Sequence, residues 1–114
     1  MKAKAVHYTE IVEKPVEMEG VKDVTIRWLI SVEDNAPNFY MRMFTVQPGG
    51  YTPYHSHPYE HEVFILEGEG IVVIEDKEHK MKEGYVIAVP PDVKHQFKNT
   101  GNGALRFLCL IPKR

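Results

Sequence analysis

The chain has 114 residues, 43% of them hydrophobic and 26% charged, with a formal net charge of −2. That is enough for one core but not two, and the apolar content is too high for a disordered segment. Because the charges are interspersed, there is no basic face of the kind a nucleic-acid partner requires.

Cys109 is the only cysteine, which excludes an internal disulfide and a cysteine zinc cluster. The N-terminal stretch MKAKAVHYTE lacks the apolar centre of a signal peptide, and no apolar run approaches membrane-spanning length. The expectation is a cytoplasmic protein with no nucleic-acid and no membrane partner, folded as a single domain over residues 1–114.

In chain order, a helical pattern is at most weakly traced over residues 9–19, and Pro15 interrupts it. DVTIRWLISV (23–32) is β-branched and aromatic, with Val24, Ile26, Trp28 and Ile30 on one parity. NFYMRMFTV (38–46) follows the turn signal DNAP and is expected to end at QPGG. EVFILEG, GIVVIED, YVIAVPP, HQFKN and ALRFLCLIP follow, each bounded by Gly, Pro, Asn or Asp, the residues that supply turn dihedrals. Between the second and third of these, EDKEHKMKEG is a run of lysines balanced by glutamates and reads as a solvated hairpin. Short strands punctuated in this way predict an all-β sandwich or barrel. VFIL, IVVI and LRFLCLI do not alternate cleanly, so a second protein layer, such as another subunit, is expected over their outer faces.

Histidine is the residue that points to chemistry. His55 and His57 are two apart, so on a strand both project from one face, with Cα atoms roughly 6.6 Å apart. His61 would lie about 20 Å from His55 on a straight strand. The chain must therefore turn at Pro58, Tyr59 and Glu60 for His61 to return beside the pair on the next antiparallel strand. His95, after VPPDVK, stands at another Pro-marked turn. A lone histidine is ordinarily a surface or hydrogen-bonded residue, and His7 and His79 are read that way. For the HxHxxxH cluster, the same reading leaves three histidines in one turn with no shared purpose.

Two spacings carry a family resemblance. The first runs Gly49, GYTPY, His55, Ser56, His57, PYE, His61, EVFILE, Gly68; the second runs Gly84, YVIAV, Pro90, Pro91, Asp92, VK, His95, QFK, Asn99. With these two motifs the sequence resembles a small single-domain cupin. The resemblance implies a double-stranded β-helix, a jelly-roll barrel enclosing a small-ligand cavity. Residues 36–112 would form the barrel core, and residues 1–35 strands at its edge or at a dimer contact.

The chain departs from the family pattern twice. Asp92 stands where the second motif has Gly, which Asp can partly excuse because it tolerates left-handed dihedrals. His61 stands where the first motif has a glutamate ligand, with Glu62 as the rival one residue later. Counting back from Gly68 favours His61, and some small cupins bind a metal through four histidines. The resemblance thus implies one divalent transition metal held by His55, His57, His61 and His95. Mn or Fe is expected first, with Ni, Cu or Zn as other choices that imidazole accommodates.

Leu105, Phe107, Cys109 and Ile111 share one parity, so Phe107 and Cys109 are candidates for the cavity wall, with Phe97 two residues after His95. Arg42 is either an inward anchor for an anionic substrate or a surface charge. Tyr51, Tyr54 and Tyr59 crowd the histidine turn and would shield its mouth. No catalytic residue beyond the metal ligands can be named. The expected function is that of a metal-dependent dioxygenase acting on a small molecule, with dioxygen as co-substrate and a homodimer as the working unit. The alternative is a non-catalytic small-ligand binder or sensor; a sugar isomerase fits the apolar candidates less well. Imidazole binds metal only when neutral, so metal affinity is expected to fall below about pH 6.5.

Overall fold

A computed structural model describes residues 1–114. Nine strands occur in order: β1 (Lys14–Pro15), β2 (Lys22–Ile30), β3 (Phe39–Tyr51), β4 (His61–Glu67), β5 (Glu69–Ile74), β6 (Lys77–Lys82), β7 (Val86–Val89), β8 (His95–Asn99) and β9 (Leu105–Pro112). Two 3-10 turns, Tyr8–Glu10 and Val32–Asp34, are the helical elements. The chain is all-β, and no helix is long and apolar enough to cross a membrane.

The strands make one curled sheet in the order β6-β5-β8-β3-β9-β4-β7, with β2 also on β3 and β1 on β2. Every pairing is antiparallel. The curl brings β6-β5-β8 opposite the larger half, β7-β4-β9-β3-β2, as in a jelly roll. No α-helix forms over residues 9–19: the 3-10 turn ends at Glu10, and Lys14 and Pro15 pair with Ile26 and Thr25 instead.

β3 does not end before QPGG, as the turn residues suggested. It continues to Tyr51, pairing with β9 over Phe39–Val46 and with Lys98 of β8 at Tyr51. Pro48, Gly49 and Gly50 form the corner by which one strand passes from one half of the sheet to the other. A Cβ on Gly50 would lie 2.6 Å from the Lys22 carbonyl oxygen, so only glycine fits there. Gly68, between β4 and β5, has φ +86° and approaches the Ala104 carbonyl so closely that a Cβ would sit 2.4 Å from its oxygen. Asp92 does take the left-handed conformation, with φ 65°.

The core follows strand alternation. His61, Val63 and Ile65 of β4 and Leu105, Phe107, Cys109 and Ile111 of β9 point inward and are buried. Burying an aliphatic or aromatic side chain of this size contributes about 1.5–3 kcal/mol. On the outer face Arg106 pairs with Glu67 at 2.8 Å. Phe64, Leu66 and Val86 are exposed there, and nothing within the chain covers them. The lysine-rich stretch is the β5–β6 hairpin, turning at Glu75 and Asp76.

Candidate metal centre

The histidines meet at one end of the cavity between the two half-sheets. His61 is the first residue of β4 and His95 the first of β8. Residues 52–60 are not a regular strand, so His55 and His57 are not held by strand geometry, as the sequence had suggested. His55 forms a single bridge with His95, each amide donating to the other's carbonyl at 3.2 and 3.0 Å. Thr52 fixes the approach to that bridge: its amide donates to the Phe97 carbonyl at 2.9 Å, and its hydroxyl accepts from the Phe97 amide at 2.9 Å. The chain then turns at Pro58, and the Asp92 amide donates to the His57 carbonyl at 2.6 Å.

One ligand nitrogen from each of His55, His57 and His95 can be chosen so that all lie within 4.8 Å of one another. The His55 and His57 Nε2 atoms are 3.1 Å apart. Adjacent donors about 2.0–2.1 Å from a shared ion stand about that far apart, so the pair fits a divalent transition metal. The His61 ring centroid lies 4.8 Å from that of His95 and 5.1 Å from that of His57. His61 Nε2 is buried with no hydrogen-bond partner, a condition that a cation would relieve.

The far sides of two rings are occupied. His95 Nδ1–H donates to the Val93 carbonyl at 3.0 Å, leaving Nε2 as a bare lone pair. His61 Nδ1 is 3.3 Å from Cys109 Sγ, which accepts from Nδ1–H in the tautomer that frees Nε2. Arg42 Nη2 also donates to that sulfur, at 2.9 Å, and stands 3.4 Å from His61 Nδ1 itself. Burial keeps all four imidazoles neutral. It pulls His61 down to about 3 and His57 to about 4, and lowers His55 and His95, with the neighbouring Arg42 charge acting in the same direction. Protonation of His57 and His61 in the folded apo-protein thus sets in well below the pH 6.5 expected of free imidazole. Burial pushes the Cys109 thiol up, against the pull of Arg42.

The four histidines line a cavity of about 1190 Å³, and so do the candidates Arg42, Phe97, Phe107 and Cys109. Phe107 stacks on Phe97 at 4.6 Å and on Phe44 at 5.4 Å, a continuous apolar row along the cavity wall. The sequence pattern of the cupin domain matches residues 42–111.

The chain belongs to the cupin family. It is similar to the oxalate-binding protein of Thermotoga maritima, 34% identical over 103 residues, which are 87% of this cupin and 84% of that protein. Protein SchB of Streptomyces halstedii is 34% identical over 74 residues, 64% of this chain and 54% of SchB. The chain thus spans only about half the length of SchB. Among solved structures, the polyketide cyclase RemF from Streptomyces resistomycificus superposes with a TM-score of 0.93 at 34% identity, covering 99% of this chain and 81% of RemF.

The rival ligand Glu62 is exposed on the opposite face of β4, paired with Ala88 and Leu110. Arg42 is buried inside and is not a surface charge. Tyr59 stacks on His57 at 4.9 Å, whereas the Tyr54 hydroxyl donates to Asp76 on the surface, 2.8 Å away. His79 is exposed, and His7 caps the first 3-10 turn, its Nδ1 2.7 Å from Thr9 Oγ1.

Two contributors escaped the sequence reading. Asn99 is buried, and its Nδ2 donates to the Val46 and Gly103 carbonyls at 2.7 and 2.8 Å, pinning β8 to the corner of β3. The motif position signalled Asn99, but not that its task is structural. Trp28, directly across from Arg42 in the β2–β3 register, lines the cavity. Its shared parity with Val24 and Ile26 was the available sign.

Proposed function

We propose that this cupin is a metal-dependent enzyme acting on a small, flat, enolisable organic molecule, with His55, His57, His61 and His95 as the metal ligands. The observation that carries this reading is the buried, unpartnered Nε2 of His61, in a ring that contacts His57 and His95. A divalent metal held there would supply Lewis acidity toward a carbonyl or enolate oxygen. The imidazoles, kept neutral by burial, present lone pairs and leave the metal's charge uncancelled. The row of phenylalanines gives an unsaturated ligand an apolar surface to pack against and keeps water from it.

The likeness to RemF, a polyketide cyclase, supports a ring-closing reaction on a polyketide-like chain. The dioxygenase chemistry expected from the sequence is the second reading, favoured by the apolar wall beside the histidines. The test begins with elemental analysis, which should give one transition-metal ion per chain. The metal-loaded protein is then incubated with linear tri- and tetraketides while dissolved oxygen is recorded. Ring-closed product at constant oxygen supports the proposal. Oxygen uptake with cleaved product moves the assignment to a dioxygenase, and binding without turnover makes the chain a ligand-binding protein, as the oxalate-binding relative would suggest.

A further inference from the structure

Arg42 is the only Asp, Glu, Lys or Arg side chain buried in this chain, and it is 8% exposed. None of the three ion pairs includes it. Its Nη2 donates to Cys109 Sγ and lies 3.4 Å from His61 Nδ1, and Nε has no hydrogen-bond partner. The guanidinium carbon lies 5.5 Å from the Trp28 ring centroid and 5.0 Å from that of Phe44. Register explains the placement, since Trp28, Arg42 and Cys109 are directly opposed on β2, β3 and β9.

A thiol, a neutral imidazole and two aromatic faces offset the guanidinium charge only partly, and burying a charge without a counter-charge is costly. Neutral imidazoles add no negative charge, and a divalent cation among them would deepen the imbalance. The protein holds Arg42 in the cavity wall without supplying its anion.

We propose that Arg42, clamped between Trp28 and Phe44, is the anion subsite of the cavity and selects flat organic anions, with a carboxylate or enolate oxygen at the guanidinium and the unsaturated body along the Phe97–Phe107 wall. This assignment of substrate class rests on reading the cavity as a small-molecule site. The guanidinium and its aromatic clamp belong to the metal-free chain as well, so the two readings can fail separately.

The test compares benzoate with benzamide, its uncharged isostere, by calorimetric titration of the metal-loaded protein and of the same protein stripped with chelator. Emission from Trp28, the only tryptophan, reports whether the ligand reaches the clamp. Benzoate should bind at least about tenfold more tightly than benzamide, the scale of a hydrogen bond to a charged group, and should shift Trp28 emission. Arg42→Gln should remove the preference, whereas Arg42→Lys, which keeps the charge but not the fork, should retain part of it. If the Gln variant does not fold, the wild type and the Lys variant decide the matter. Equal affinity for the two ligands, no benzoate binding at millimolar concentration, or an undiminished preference in Arg42→Gln would overturn the proposal. Failure of the metal reading looks different: no metal is taken up, yet the benzoate preference persists.

Discussion

The fold holds the four histidines as two unlike pairs. His61 and His95 open strands β4 and β8, are 5% and 3% exposed, and have their Nδ1 sides engaged by Cys109 and the Val93 carbonyl. His55 and His57 lie on an irregular stretch flanked by Pro53 and Pro58, are half-buried, and have a ring nitrogen of the other as their side-chain polar neighbour. A strand fixes where a ring begins, and an outer hydrogen bond fixes how it is turned. A loop fixes neither so firmly, so the second pair has the freedom to adjust to an ion while the first pair sets the frame.

The largest effect expected from this contrast is at His61. His61→Ala should remove most bound metal, by elemental analysis, whereas Glu62→Gln, one residue away on the outer face, should leave it unchanged. The reverse outcome would make the carboxylate the ligand and break the comparison. A smaller effect is expected at Cys109. Losing the partner that orients a metal-ligating ring costs about 10–100-fold in metal affinity, so Cys109→Ala should weaken binding by roughly that factor in a chelator competition. Cys109→Ser, which keeps an acceptor, should recover part of it. Wild-type affinity in the Ala variant would mean that β4 alone orients His61.

The smallest effect concerns pH. In the unfolded chain the histidines take up protons below about pH 6.5, whereas in the folded apo-protein burial holds His57 to about 4 and His61 to about 3. The unfolded state then binds more protons, so apo stability should be level above pH 6.5 and decline as pH falls from 6.5 toward 4. A thermal melt series should show Tm falling by several degrees over that window. A flat profile would show that these rings are more hydrated than their burial implies.

Much of this arrangement was legible because it repeats at short range. HxH spacing, the turn at Pro58 and the alternation of β9 are local patterns, and they pointed Phe107, Cys109 and the four rings at one cavity. The parity of β4 also separated His61 from Glu62. What was not legible depends on register between distant segments. The continuation of β3 through Gln47–Gly50 follows from Lys22 and Lys98 supplying partners on either side, whereas proline and glycine by themselves signal a stop. The stacking of Trp28 on Arg42 likewise requires knowing which β2 residue faces which β3 residue. Asn99 shows the same limit, since its partners Val46 and Gly103 follow from no local pattern.

The corner at Gly49 and Gly50 leaves the four histidines on two sides of a seam. His95 and its bridge partner His55 belong to the half-sheet of β8, and His61 belongs to the half-sheet of β4. A cation gripped by both sides would fasten the halves as a clasp fastens a hinged case, because any ion that binds only the folded chain raises its resistance to unfolding. Heat resistance then becomes a gauge of which ion the clasp prefers, and it can be measured before any substrate is known.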